Sequence, residues 1–162
     1  WRSMSMPEAI TALGPSCEIY GSSPKFLTDW RWYKEIPENN HKYNEIAIHL
    51  ANQNTHNLLD YRFTHGPQPV EINTKIRSLC DAVFGLLKKF EVDRNMRYLE
   101  QLNKNLSDLS MIVKKFSSET AASLDDFIGA SEHYCGHKSL PELKEFVPFF
   151  GRGTQYLSFT RR

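Results

Sequence analysis

The densest group of potential metal ligands is the run Glu132-His133-Tyr134-Cys135-Gly136-His137. His133, Cys135 and His137 carry the nitrogen and sulfur atoms that zinc and other transition metals prefer. Structural zinc sites use four ligands in two separated pairs, and no second pair is visible in this sequence. We therefore predict no bound metal and interpret residues 131–138 as a solvated loop between helices. Metal binding by these three residues is the alternative.

Three other histidines, His41, His49 and His56, fall on one predicted helix over residues 41–61. Their spacing corresponds to about two helical turns each, or about 11 Å along the axis. This distance is too long for them to share one metal ion. The pattern predicts surface histidines on a polar helical face.

Aromatic and cationic residues alternate in the segment Asp29-Trp30-Arg31-Trp32-Tyr33-Lys34. A helix over residues 23–36 would turn Trp30 and Tyr33 inward and leave Trp32 pointing elsewhere. An exposed tryptophan beside cations suits a partner or an anionic or aromatic ligand. We predict a contact surface formed by Trp32, Arg31 and Lys34, with Arg152 as a neighbour. Coverage of Trp32 by the chain's own helices is the alternative.

The turn Gly151-Arg152-Gly153 has residue types that can bind an anion. Glycines let backbone amides approach a phosphate, and arginine donates a fork of hydrogen bonds. An ordinary tight turn uses the same glycines. We find no GxGxxG, GxxxxGK[ST], HExxH or GxSxG motif, so we predict no cofactor. Whether the chain is an enzyme stays open.

Composition limits the classes of partner. The chain has 162 residues, the size of one domain, with 20 Lys+Arg against 19 Asp+Glu. The absence of a basic excess argues against nucleic acid, and no apolar run is long enough to span a membrane. The three cysteines, Cys17, Cys80 and Cys135, form no CxxC pair. We therefore predict an intracellular protein in the reducing cytoplasm.

Hydrophobic periodicity predicts a long helical hairpin. Two apolar series have a mean spacing near that of a coiled-coil seam, and a short polar break separates them. The first series comprises Ile72, Ile76, Leu79, Val83, Leu86 and Phe90, and the second comprises Leu99, Leu102, Leu106, Leu109, Val113 and Phe116. Because the connection is short, helices over residues 70–91 and 94–116 must run antiparallel.

The other segments complete a mainly α fold. Ser5 and Glu8 form a capping box for a first helix, and Ser139 and Glu142 form another for a helix over residues 139–147. One more helix follows Ser117. Residues 16–20 and 154–160 are strand candidates that need each other as partners. We predict one helical domain over residues 1–162: a helical bundle, residues 23–150, around the hairpin, with a small terminal strand pair.

The two ends of the chain carry a resemblance. A helix followed by Cys17-Glu18-Ile19-Tyr20, together with the terminal segment 154–161, is similar to the last helix and last two strands of class I S-adenosylmethionine-dependent methyltransferase-like domains. The resemblance implies an antiparallel final strand and a helical insertion between the two ends. It implies further that the chain is the distal part of such an enzyme. The family's glycine-rich cofactor loop is absent, so the chain could not bind the cofactor alone.

Complete packing patterns without a complete active-site pattern favour a non-catalytic interaction module. We predict that it docks on a protein partner or on the rest of a larger enzyme. Two alternatives remain, a fragment of a methyltransferase-like enzyme and a helical protein that binds a small ligand or metal.

Overall fold

A computed structural model describes residues 4–24, 43–153 and 155–162. This part of the chain is mainly α-helical with one antiparallel strand pair, which confirms the predicted fold class. The predicted helix over residues 23–36 lies almost entirely outside the described residues. The elements in chain order are α1 (Met6–Leu13), β1 (Cys17–Ser23), α2 (Tyr43–Asn54), a 3-10 helix (Thr55–Leu58), α3 (Val70–Asp93), α4 (Met96–Val113), α5 (Ser118–His137) and β2 (Tyr156–Arg161).

Helices α3 and α4 form the predicted antiparallel hairpin. Arg94 ends α3 in the left-handed conformation (φ 52°), and its amide donates to the carbonyl of Phe90 at 2.9 Å. Asn95 then caps α4 by accepting from the amide of Arg97 at 3.1 Å. The apolar seam between the helices is the centre of a larger core that α5 completes: its buried members are Ile76, Leu102, Leu106, Leu109, Ile112, Val113 and Leu124.

Helix α5 is longer than predicted. The sequence predicts a loop over residues 131–138, but α5 continues to His137 and ends at Lys138, which is also left-handed (φ 58°). The prediction was wrong because polar residues were taken as a break. In the structure Glu132, His133 and His137 lie on the solvent side of the helix, which costs a helix little.

The predicted helix over residues 139–147 does not form. The chain instead runs back along α5 without regular structure, and we call residues 138–153 the strap. The backbone amides of residues 144–146 donate to Asp126 Oδ2 at 2.9, 2.9 and 3.1 Å. Phe146 packs on Phe127, with ring centroids 4.7 Å apart. A capping box is not enough to hold a helix unless its apolar face is buried, and here Leu140 and Val147 stay exposed.

The strand pair forms as predicted, with shifted bounds. Cys17 lies opposite Arg161 and Ser23 lies opposite Tyr156, so the strands are antiparallel. A bulge falls at Tyr20, between the paired residues Ile19 and Gly21. The strand pair, α1 and α2 share a small core of Met6, Ile10, Ile19, Ala47 and Ala51.

The predicted helix over residues 41–61 is shorter than expected. Its described part, α2, ends at Asn54, and the chain tightens into the 3-10 helix that ends at Leu58. The side chains of Asn54 and Thr55 donate back to the carbonyls of Leu50 and Ala51 at 2.8 and 2.9 Å. Within the described ranges, no helix is both long and apolar enough to cross a membrane.

Candidate binding sites

His56 is buried, which contradicts the prediction of a surface histidine. The 3-10 turn rotates it inward, and its ring meets Phe116 edge-on at 5.1 Å between centroids. Asn73 Oδ1 lies 2.9 Å from the His56 amide and 3.1 Å from Nδ1, so Nδ1 carries the proton. Burial lowers the pKa of His56 and outweighs the hydrogen bond that His56 donates to Asn73. This neutral, enclosed imidazole anchors the 3-10 helix to α3.

Asp60 forms a buried ion pair just after the 3-10 helix. Its Oδ2 lies 2.7 Å from Arg62 Nη2 and accepts from Thr120 Oγ1 at 2.9 Å. Burial alone would raise the pKa of Asp60, but the hydrogen bonds from Arg62 outweigh it and hold the pKa below its ordinary value. The carboxylate therefore stays charged and ties residues 60–62 to α5.

The same network extends to the strap. Arg62 Nη2 donates to Ser123 Oγ at 2.9 Å, and Ser123 Oγ donates to the carbonyl of Glu145 at 2.7 Å. Residues 60–62, α5 and the strap are thus joined by consecutive hydrogen bonds.

Arg152 is the one predicted contact residue that lies in the described part of the chain, since Trp32, Arg31 and Lys34 fall outside it. Its Nε donates to the carbonyl of Asn57 at 3.0 Å, and its Nη2 donates to the carbonyl of Tyr61 at 3.0 Å. Its own amide donates to the carbonyl of Leu58 at 2.9 Å, and the amide of Tyr61 donates to the carbonyl of Phe150 at 2.8 Å. Arg152 therefore fastens the end of the strap to residues 57–61.

Apolar side chains project to solvent where these two segments meet. Val147 is 73% exposed, Phe150 is 71% exposed and Tyr61 is 52% exposed. Together with Pro148 they border a depression with a volume of about 410 Å³. We call these four residues the apolar face. The sequence analysis did not predict it, because Tyr61 and residues 147–150 are distant in sequence and come together only through the backbone pairing described above.

A second concave site lies beside the turn of the hairpin. It has a volume of about 340 Å³, and we call it the hairpin cavity. The seam residues nearest the turn, Phe90 and Leu99, face this space and do not close it. The apolar part of its wall is formed chiefly by Phe90, Leu99, Phe127, Ala130, Leu140 and Leu143.

Ser131 contributes an unpaired hydroxyl to the wall of the hairpin cavity. The residue is only 5% exposed, and its Oγ has no hydrogen-bond partner among the described residues. Other buried serines of the bundle have partners: Ser110 Oγ donates to Asp125 Oδ1 at 2.7 Å, and Ser123 Oγ donates to the carbonyl of Glu145 at 2.7 Å. An unsatisfied buried hydroxyl costs about 1–3 kcal/mol. No sequence signal distinguishes Ser131 from an exposed serine.

No family model, curated protein or solved structure matches this chain. The resemblance of the chain ends to methyltransferase-like domains therefore stays a prediction.

The predicted metal candidates lie on the last turns of α5. The rings of His133 and His137 stack with centroids 4.3 Å apart, and His133 Nε2 lies 3.3 Å from Ser139 Oγ. Cys135, two residues from each histidine, points to another side of the helix. Among the described residues no three His, Cys, Asp or Glu side chains are grouped so that they could hold a metal ion.

Cys80 is the cysteine with a perturbed thiol. Burial raises the pKa of Cys80 to about 11, and the charge of Asp81 adds to the effect. A thiol with this pKa is protonated near neutral pH and is a poor nucleophile.

Proposed function

We propose that this chain is a non-catalytic helical module that docks on a protein partner, or on the rest of a larger protein, through the apolar face. The observation that carries the proposal is the exposure of Val147 and Phe150, each more than two thirds exposed, around one depression. Exposed apolar side chains that surround a concave site are typical of protein–protein interaction sites.

The backbone beneath the apolar face is held rigid, which supports the same function. Arg152 fastens the strap to residues 57–61, and the Asp60–Arg62 pair fastens the residues on either side of Tyr61. A surface that is already ordered loses little conformational entropy when it binds. These polar contacts therefore favour binding without contacting the partner themselves.

The chemistry of the depression favours an apolar anchor on the partner. Its border is made by the rings of Tyr61, Pro148 and Phe150 and the side chain of Val147. A leucine or aromatic side chain placed against this border would remove apolar surface from water together with Phe150 and Val147, as anchor residues of binding hot spots do.

Site-specific photo-cross-linking tests the proposal in cells that express the protein. A photoreactive phenylalanine analogue replaces Phe150 in one variant and Val92 in the control variant. Val92 is 81% exposed on the last turn of α3 and lies outside the apolar face. We expect one defined protein adduct from position 150 and none from position 92.

The partner identified in this way is then purified for binding measurements. Phe150→Ala should weaken its affinity by at least about 2 kcal/mol, the size of a hot-spot loss, and Val92→Ala should leave the affinity unchanged. Equal adducts at both positions, or an affinity that Phe150→Ala does not alter, would contradict the proposal.

A further inference from the structure

The hairpin cavity combines an apolar wall with one cation in its lining, and it is separate from the apolar face. The cation is Arg94. The Nζ of Lys138, a second cation, lies 5.7 Å from the centroid of the Tyr134 ring, and Tyr134 lines the cavity. Arg94 therefore borders the apolar space directly, and Ser131 adds an unpaired hydroxyl to the lining.

Neither cation is neutralised within the described part of the chain. The Arg94 guanidinium lies over the Phe90 ring at 5.6 Å, and Lys138 lies over Tyr134, but neither forms an ion pair with a described carboxylate. Both side chains are exposed, so an incoming anion can reach them.

The backbone positions of these two cations are also unusual. Arg94 and Lys138 end α3 and α5 with φ angles of 52° and 58°, where glycine is the preferred residue. A side chain at such a position is strained, so the fold retains two basic side chains where glycine would be more stable. A basic residue is also favourable at the C-terminal end of a helix, beside the negative end of the helix dipole. Glycine variants at both positions separate this structural role from a binding role.

We propose that the hairpin cavity binds a small amphipathic monoanion, an apolar body that carries one carboxylate. The apolar body would occupy the space between Phe90, Leu99 and Ala130. The carboxylate would lie at the mouth beside Arg94 and Lys138, and the ligand would bring a hydrogen-bonding atom to Ser131.

The cavity volume limits the size of the ligand. A dry apolar cavity of roughly 150 Å³ accommodates benzene. In proportion, about 340 Å³ accommodates a ligand of roughly a dozen heavy atoms. Decanoate has this size and chemistry and serves as the probe, and decanol is the uncharged control of equal length.

Titration of the full chain followed by amide NMR tests the proposal. Decanoate should cause saturable shifts at the last turns of α3 and α5 and in residues 139–143, and acetate should cause none there. Ala130→Leu fills part of the cavity and should weaken decanoate binding about tenfold, the effect of losing roughly two buried methylene groups.

Three further variants separate a binding role from a structural role. Lys138→Gly and Arg94→Gly should each weaken decanoate binding about two- to five-fold, as expected for an exposed ion pair, and leave decanol binding unchanged. Their melting temperatures should not fall, because glycine relieves the left-handed strain. Ser131→Ala should raise the melting temperature and leave decanoate binding unchanged, because the single polar group of decanoate lies at the mouth. Omega-hydroxydecanoate, which carries a hydrogen-bonding atom at its other end, should bind more tightly than decanoate, and Ser131→Ala should remove that difference. Lys104→Gln, an exposed lysine on α4, is the neutral control.

The outcomes are decisive in both directions. The proposal is supported if decanoate binds saturably at the cavity and Ala130→Leu weakens that binding. Decanoate should also bind more tightly than decanol, and Lys138→Gly or Arg94→Gly should remove this preference. The proposal is overturned if decanoate does not saturate, if the shifts map elsewhere, or if Ala130→Leu leaves binding intact. Equal affinity for decanol and decanoate would overturn the assignment of an anion.

Discussion

At the scale of single residues, His56 is a basic side chain that the fold keeps neutral. Its pKa lies below the ordinary value of 6.5 because burial penalises the charged imidazolium. The unfolded chain therefore binds a proton at this residue at a higher pH than the folded chain does. The contribution of His56 to the free energy of unfolding is intact above about pH 6.5 and is lost as the pH falls through the lower folded pKa.

We predict that His56→Gln reduces the pH dependence of stability between pH 7 and 5. One proton can change the free energy of unfolding by at most about 1.4 kcal/mol per pH unit, and chemical denaturation at several pH values measures that slope. Because the pKa of Asp60 is low, protonation of Asp60 changes the free energy of unfolding only at more acidic pH. His49→Gln, on the exposed side of α2, is the matched control. If His56→Gln retains the wild-type slope of unfolding free energy against pH, a group other than His56 causes that slope.

At the scale of elements, most of the packing that the sequence predicts lies in the apolar seam between α3 and α4. Leu106 lies in the middle of α4, is 5% exposed and belongs to the larger core. We predict that Leu106→Ala lowers the free energy of unfolding by about 2–5 kcal/mol, because it removes apolar burial and leaves a cavity. Met111→Ala, at an exposed position of the same helix, should change it by less than about 0.5 kcal/mol. Similar losses in both variants would contradict a buried seam.

One carboxylate, that of Asp126, accepts from three consecutive amides of the strap, which makes a second element-level prediction. The pKa of Asp126 is lowered chiefly by the amide of Phe146, with the amides of Lys144 and Glu145 adding to it. Asp126→Ala removes the acceptor for all three amides, so hydrogen exchange at residues 144–146 should become faster while exchange in α4 stays unchanged. Glu132→Ala, also on α5, is the control. Unchanged protection at residues 144–146 would show that the other contacts of the strap hold it without Asp126.

The elements with a strong periodic signal are the ones that the sequence predicts correctly. The series from Ile72 to Phe116 repeats regularly enough to define two helices and their contact. The segment at Ser139 has start signals and apolar residues at helical spacing, but tertiary contacts with Asp126 decide its conformation. The end of α5 was missed for the opposite reason, because its last turns are polar but continue a helix that is already formed.

Both concave sites are less predictable than the helices. The hairpin cavity exists because the strap brings Leu140 and Leu143 against the end of α5, and nothing local to Ser131 indicates that it will be buried there. Arg152 is predicted as a neighbour of a contact surface, but the turn Gly151-Arg152-Gly153 does not reveal that its donors meet backbone carbonyls far away in sequence.

At the scale of the whole molecule, the described residues bury two hydrophobic clusters of different size. The smaller joins α1, α2 and the strand pair, and the larger joins α3, α4 and α5. The consecutive residues Leu58 and Leu59 pack against the smaller and the larger cluster respectively. The end of the 3-10 helix, which His56 and Asp60 also hold, is therefore where the two clusters are joined.

The two clusters differ in how much apolar side-chain surface they bury. The smaller has two alanines among its five buried residues, and its large side chains are Met6, Ile10 and Ile19. A fully buried large aliphatic side chain contributes about 1.5–3 kcal/mol, and alanine contributes much less. The larger cluster has seven buried residues, all of them leucine, isoleucine or valine. The part around the strand pair is therefore expected to open at a lower free energy than the bundle.

Native-state hydrogen exchange tests whether the molecule opens in this order. We predict that amides of α4 and the first turns of α5 exchange last and that those of α1, β1 and β2 exchange earlier as a group. The Ile19 amide, which donates to Asn44 Oδ1 at 2.9 Å, reports on the smaller cluster. Ile10→Ala should lower the opening free energy of that group by about 2–5 kcal/mol and leave α4 unchanged, whereas Leu106→Ala should lower protection in α4. If Ile10→Ala lowers protection equally in both regions, the two clusters unfold as one cooperative unit, as the prediction of a single domain over residues 1–162 requires.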